Sequence, residues 1–362
     1  MTQWITRING FQYKLEKASG FIANRDAAEA AEKIGFKVLN YFQYNGREES
    51  GDALGARLDG ILSGVQEGDN VFIQYPMWQI DPRFERRFFN KLAIKKNVKK
   101  ILWIWDVLSW LHDDSDRDYT KDEVFQLMNR CDLIISPNRK MSQRLRDEGN
   151  VTVPIIDIGL WDYQISGELP EKKFEKKIYF VGTLDKTDFG SYKAKTPMHL
   201  IGNPSVLSEE VKEQENLVLM GEIKNKQVPF TFDGGFGVIS YTRPKVEKVR
   251  FAGAEKYGHY NNPLKLSTYL GAGLPVIVDG NSAHASMIKE HKLGLVLDDL
   301  NAIDSVFEEL TEEAYQEMVQ HVANYSAAIR SGFFTQKVLM NALDFLELGN
   351  SEVLTKGFEG EK

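Results

Sequence analysis

Three charged side chains in this chain have the type and the neighbours needed for chemistry on an anionic substrate. Lys265 stands two residues after Pro263 in the run NNPLKLSTYLGAGLPVIV, residues 261–278. Pro263 suits the first turn of a helix, where its missing N–H is no loss. Leu264, Leu266, Tyr269 and Leu270 supply a helical apolar pattern, and Gly271 and Gly273 end it before a buried strand at 274–278. Lys265 therefore falls in the first helical turn, where the macrodipole disfavours a cation. A phosphate over the helix N-terminus would explain it, because the backbone N–H groups and the ammonium then point at one anion. A solvated lysine on an amphipathic helix is the plain alternative. Lys186 lies in GTLDK, residues 182–186, after a predicted strand at 178–181, with Gly182 permitting close approach. The alternative there is an ordinary solvated loop. Asp106 ends the strand at 101–105, as a general base for a hydroxyl or as a buried group capping a neighbouring turn.

The elements that must position these residues alternate. Strand-like runs at 4–8, 36–42, 71–75, 100–105, 132–136 and 155–159 are separated by amphipathic helical runs near 22–34, 54–65, 84–92, 123–130 and 139–148. Such alternation predicts a parallel, doubly wound sheet. Residues 161–177 turn polar, with Gly167, Pro170 and the KKFEKK cluster, and read as a domain boundary. Strand-like runs resume at 178–181, 198–202, 217–220, 236–241, 274–278 and 294–297, and helical sequence fills 302–348 with a break at Ser331 and Gly332. The expected domains are 1–160, a linker 161–177, 178–330, and a final helix within 331–350. Open α/β sheets bind ligands at the carboxyl ends of their strands, so site residues are expected just after strands.

A chain of 362 residues is long enough for two cores, and 42% hydrophobic with 27% charged residues is ordinary for a globular protein. The net charge of -7 argues against a general nucleic-acid binder, whose affinity comes from clustered Lys and Arg. A single cysteine, Cys131, excludes an internal disulfide and fits a reducing compartment, and the N-terminus lacks the order of a signal peptide; a cytoplasmic protein is expected. The longest apolar run, 101–111, is interrupted by Asp106 and too short to span a bilayer.

The glycine pairs and loops offer further candidates. DGGFGVISY, residues 233–241, sets paired glycines ahead of a strand, which close backbone packing explains equally well, and delivers Tyr241 at its end. The long basic loop after it, 242–262, reads as a flap over a ligand. Gly10 and Gly20 bracket a loop after the first strand, and Trp78 follows the strand at 71–75, placed to stack on a sugar or simply to pack. The acidic cluster HDDSDRD at 112–118 reads as a solvated loop, because nothing fixes a ligand geometry, and no metal is predicted.

Several of these strings together resemble glycosyltransferases of the GT-B type. They are ING at 8–10, RLDGILSG at 57–64, Asp106 with Val107, GGFGV at 234–238, the K-L-x-x-Y/F-L-x-A-G-x-P-V-I-V string and RSGFFTQKVL at 330–339. The similarity is greatest to the bacterial subfamily containing the third glycosyltransferase of the serine-rich-repeat adhesin pathway, and galactofuranosyltransferases are more distant. The resemblance implies two Rossmann-like doubly wound domains facing across a cleft, with a C-terminal helix, 334–346, returning to the first domain. It implies a UDP-sugar donor, no cofactor and no metal, with donor contacts at Gly182, Thr183, Lys186, Tyr241, Asn262, Lys265 and Leu266. Acceptor contacts are expected at Asn9, Gly10 and Trp78, and catalysis at Asp106. Relatives commonly read His-Asp at the last position; Trp105 stands there in this chain, and His112 is too far along to replace it.

The expected reaction is transfer of glucose from UDP-glucose, with inversion, onto N-acetylglucosamine on Ser or Thr of a serine-rich adhesin. The partners are therefore a UDP-sugar and a glycosylated protein, without nucleic acid or a membrane span, and a homo-oligomer (dimer or tetramer) is expected. Alternatives are an N-acetylglucosaminyl- or galactofuranosyl-transferase of the same fold, a UDP-sugar epimerase, and a non-catalytic partner in a glycosylation complex.

Overall fold

The computed structural model describes residues 1–10, 19–43, 45–79, 81–111, 121–239 and 257–355. The chain forms two compact units, one made of Met1–Trp161 with Gly332–Lys362 and the other of Asp162–Val249 with Ala254–Ser331. The first runs β1 (Gln3–Gly10), α1 (Ser19–Glu32), β2 (Lys37–Gln43), α2 (Gly51–Ile61), β3 (Asn70–Tyr75), α3 (Arg83–Ala93), β4 (Lys99–Ile104), α4 (Leu108–Leu111), α5 (Lys121–Met128), β5 (Leu133–Ser136), α6 (Arg139–Asp147) and β6 (Ile155–Asp157). All pairings in its sheet are parallel, in the order β2-β1-β3-β4-β5-β6. The strand order reverses at β1 and β3, so the crevice of this doubly wound sheet opens at their carboxyl ends.

β3 and β5 are buried at every residue, which is why their sequences are continuous rather than alternating. Ser50 and Asn138 cap α2 and α6 by accepting from Ala53 N–H and Met141 N–H. On α3, Phe84, Phe88 and Leu92 recur on one face and are buried against the sheet side.

The second unit begins with β7 (Lys173–Val181), followed by β8 (Met198–Ile201), α7 (Glu209–Lys212), β9 (Leu217–Gly221), β10 (Gly234–Ile239), α8 (Leu264–Gly271), β11 (Val276–Val278), α9 (Ala285–Glu290), β12 (Gly294–Val296), α10 (Ile303–Glu309) and α11 (Glu312–Ser331). Its parallel order is β12-β11-β10-β7-β8-β9, with the reversal at β7 and β10. Phe180, Phe236, Val238, Ile277, Phe307 and Tyr315 belong to its core on one face of the sheet.

The last helix, α12 (Phe333–Leu348), belongs to the first unit. Gly332, at φ +86, breaks it from α11, and a Cβ there would come 2.9 Å from the Ala30 methyl on α1. Both the left-handed backbone and the contact demand glycine.

Among the boundaries that differ from the sequence expectation, three bear on the second unit. β7 starts at Lys173, inside the charged stretch assigned to the linker, because its first five residues are half-exposed and tolerate lysines. Pro263 is the residue before α8, extended at φ -71 and ψ 127, rather than part of its first turn. β11 starts at Val276 instead of 274, because Leu274 is used to close the end of α8: its N–H donates to Tyr269 O while Gly273 N–H donates to Leu270 O.

Candidate functional site

Two strand-end surfaces carry the sequence candidates, one on each unit. On the second unit the surface lies where the strand order reverses, at β7 and β10. Gly237 makes it possible: a Cβ there would lie 2.2 Å from the Tyr269 ring, so only glycine lets α8 lie this close to β10. Tyr269 then reaches across to β7. Its hydroxyl donates to Tyr179 O at 3.1 Å and accepts from Val181 N–H at 2.9 Å, and burial pushes the phenol far above its ordinary pKa, so the proton it donates is retained.

Lys265 is one turn before Tyr269 and shares its side of the helix. Its Nζ lies 4.1 Å from the centroid of the Phe180 ring and 3.9 Å from where a Gly182 Cβ would sit. Gly182 has φ +147, a conformation that side chains rarely adopt, and its N–H donates to Ile201 O at 3.0 Å. Two of the expected donor contacts, Lys265 and Gly182, are thus brought together, with Phe180 as a floor that the sequence did not single out.

Thr183 is exposed beyond Gly182, and Lys186 is exposed at the end of the 3₁₀ turn Leu184–Lys186, which buried Leu184 anchors. Asn262 and Leu266 are buried at the start of α8, so they shape the helix entry rather than present side chains to solvent. Pro263, the N-cap residue, makes no side-chain cap hydrogen bond. Tyr241 and residues 240–256 of the basic loop lie outside the described residues.

A cavity of about 100 Å³ lies by the ends of β7, β10, β11 and β12, floored by Phe180, Val238 and Ile277 and rimmed by Asp279, Asp298 and Asp299. Small-molecule sites are typically about 300–1,000 Å³. Side chains alternate along β10, so Val238 faces away from the α8 side that Gly237 serves. Phe180 is shared by this cavity and the Lys265 contact.

On the first unit, Asp106 is the second residue past β4 and half-exposed. Its neighbour Trp105 is fixed in the core: the backbone N–H donates to Tyr75 O at 2.8 Å, the indole N–H donates to Gln74 Oε1 at 3.0 Å, and the ring lies 4.2 Å from that of Trp161. Gln74 in turn donates to Thr6 O and Asn24 O. This buried network holds the chain so that Asp106 emerges at the strand end, and it gives a packing reason for the tryptophan at position 105. His112 and the acidic cluster 112–118 lie outside the described residues; among the described ones, no group of three or more His, Cys, Asp or Glu could hold a metal.

Asn9 and Gly10 end β1, opposite Phe42 and Gln43 of β2, and the Asn9 amide donates to Asn40 Oδ1 at 3.1 Å. Trp78, just past β3, has φ +53. Gly20 of α1 faces its indole, with a built Cβ only 3.2 Å from the ring. Asn9, Gly10 and Trp78 therefore gather around the β1/β3 reversal of the first sheet, on the carboxyl ends that such sheets use for ligands.

No helix of the described residues is long and apolar enough to cross a membrane. Residues 2–160 match the family model described as glucosyltransferase 3-like, N-terminal domain, and residues 178–342 match its C-terminal domain counterpart. Glucosyltransferase 3 of Streptococcus gordonii is 30% identical over 329 residues, covering 90% of this chain and 95% of the relative. Glucosyltransferase 3 of Streptococcus parasanguinis is 26% identical over 346 residues, covering 95% and 98%. Among solved structures, a sucrose-phosphate synthase from Thermosynechococcus elongatus superposes with a TM-score of 0.62 at 12% identity, over 95% of this chain and 99% of that one, a likeness of fold alone. Two Rossmann-like units of this make constitute the GT-B fold, and the chain belongs to the glucosyltransferase 3-like family of glycosyltransferases.

Proposed function

We propose that this glycosyltransferase moves glucose from UDP-glucose onto N-acetylglucosamine already attached to Ser or Thr of a serine-rich-repeat adhesin, with inversion at the anomeric carbon. The observation that carries the donor side is Lys265, held over Phe180 beside Gly182 at the point where the second sheet reverses its strand order. A cation in the first turn of a helix that begins with a proline N-cap fits the diphosphate of a nucleotide sugar. The name of the relatives favours glucose as the sugar.

In the reaction, the bond between the anomeric carbon and the phosphate oxygen breaks, and its electron pair leaves with UDP. An acceptor hydroxyl oxygen forms the new bond, and its proton passes to the Asp106 carboxylate, the general base in this reading. Lys265, Lys186 and the dipole of α8 oppose the charge that grows on the departing phosphate, in place of a metal. The working compartment is the cytoplasm and the working form a homo-oligomer, a dimer or tetramer.

The test is a donor panel with a glycosylated serine peptide, run with and without EDTA. Hexose transfer from UDP-glucose that persists in EDTA is expected. Interconversion of UDP-sugars without an acceptor would instead make the protein an epimerase, and a loss restored by Mg²⁺ would reject the side-chain mechanism.

A further inference from the structure

The segment after β3 is held in a way that its packing alone does not require. Three backbone groups of two adjacent residues are each met by a side chain: Met77 N–H donates to Glu85 Oε1 at 2.8 Å, Met77 O accepts from the Tyr41 hydroxyl at 3.3 Å, and Trp78 O accepts from Gln43 Nε2 at 2.5 Å. All three donors and acceptors come from β2 or α3, whose positions the sheet fixes. Their combined effect is to keep Trp78 at φ +53, which is a genuine outlier for a bulky residue. Strain of this kind persists where the surroundings over-determine it, and it collects at ligand clamps.

Two atoms in this clamp have unmet hydrogen-bonding capacity. The Trp78 indole N–H and Gln43 Oε1 are both buried and have no hydrogen-bond partner. One donates and the other accepts, which is the complement of a pair of sugar substituents. The indole is seated against α1 because residue 20 is glycine: a methyl there would lie 3.2 Å from the six-membered ring and 3.4 Å from Nε1, so the ring is held in one place. Gln43 is also the register partner of Gly10, so the clamp adjoins the end of β1 at the strand reversal.

We infer that Trp78 and Gln43 form a pyranoside-binding subsite for the acceptor, with Gly20 as the seat of the indole ring. The indole takes the C–H face of the sugar ring, its N–H donates to a hydroxyl or acetamido oxygen, and Gln43 Oε1 accepts from a hydroxyl. This assignment rests on the reading of the protein as a transferase with a sugar acceptor, and it adds Gln43 as a residue that selects the acceptor. Glu85 and Tyr41 act only by positioning the strained backbone.

Saturation-transfer NMR with methyl N-acetyl-β-glucosaminide, methyl β-glucoside and methyl β-galactoside tests it, with UDP affinity and melting temperature measured on the same preparations. The wild-type protein is expected to bind at least one of the three. Trp78→Phe, which keeps a packed ring but removes the N–H, and Gln43→Leu should each weaken that binding at least fivefold while UDP affinity stays within twofold. If Gln43→Leu lowers the melting temperature, Trp78→Phe alone decides. No saturation transfer to any of the three sugars, or transfer undiminished in Trp78→Phe, overturns the subsite. Sugar binding that depends on Trp78 in a protein that transfers hexose to none of these acceptors would leave the subsite standing and overturn the proposed transfer.

Discussion

Replacing Lys265 by alanine isolates the donor contact, because the structure allows the cost to folding to be worked out separately. Lys265 is half-exposed, and its one described aromatic contact is with Phe180 at 4.1 Å. Losing that cation–π contact costs about 0.5–1 kcal/mol. Removing a cation from the positive end of α8 returns about 0.3–1 kcal/mol, and alanine is the better helix former. The terms nearly cancel, so the melting temperature should move by no more than about 2 °C. A charge-assisted bond to phosphate is worth about 1.5–3 kcal/mol, which converts to roughly 10–150-fold in the dissociation constant for UDP. Titration calorimetry with UDP reads this directly. An alanine variant that binds UDP within twofold of wild type would refute the reasoning and return Lys265 to the role of a solvated helix residue.

Tyr269→Phe should lower stability by about 1–2 kcal/mol, because it strips the buried Val181 N–H and Tyr179 O of their shared partner, and it should weaken UDP binding through the displaced Gly182 turn; thermal melts and calorimetry check both. Asp106→Asn should reduce kcat by about two to four powers of ten with UDP affinity unchanged; a destabilised but fully active variant would remove Asp106 from the chemistry. Burial raises the Asp304 carboxyl, but N–H groups of Lys195 and Thr196 and the Thr196 hydroxyl outweigh it and hold the pKa below the usual 3.8. A depressed folded pKa stabilises above the unfolded value and is lost as pH falls through the folded one, so wild type should lose more melting temperature between pH 5 and roughly pH 3 than Asp304→Asn does.

Much of the architecture is legible in the sequence because parallel strands buried on both faces read as short apolar runs. The runs at 71–75, 133–136 and 236–239 are of this kind, and each lies in a strand. β7 was clipped in the reading because its half-exposed first residues are Lys173, Phe174, Glu175, Lys176 and Lys177, which resemble a linker. Lys265 at the start of its helix and Gly182 after its strand are each legible as separate candidates, from helix polarity and glycine placement; that the fold sets them side by side is not. Nor is what holds them there: Tyr269 meets its partners on Tyr179 and Val181 about ninety residues earlier, and a tyrosine in an apolar helix face looks like any other core residue. In sequence the glycines of GGFGV fit close backbone packing as well as ligand approach; in the fold Gly237 is explained by the Tyr269 ring and Gly234 by the Lys173 backbone. The strained backbone of Trp78 has no sequence signature, because it results from three contacts with other elements.

The most direct test of the central claim is the intact mass of a serine-rich peptide bearing N-acetylglucosamine after incubation with UDP-glucose and the wild-type protein in EDTA. A gain of one hexose per modified site, reduced at least tenfold in rate by Lys265→Ala, is the expected result. A peptide of unchanged mass beside intact or merely epimerised UDP-sugar, or transfer that proceeds equally well without Lys265, would contradict it.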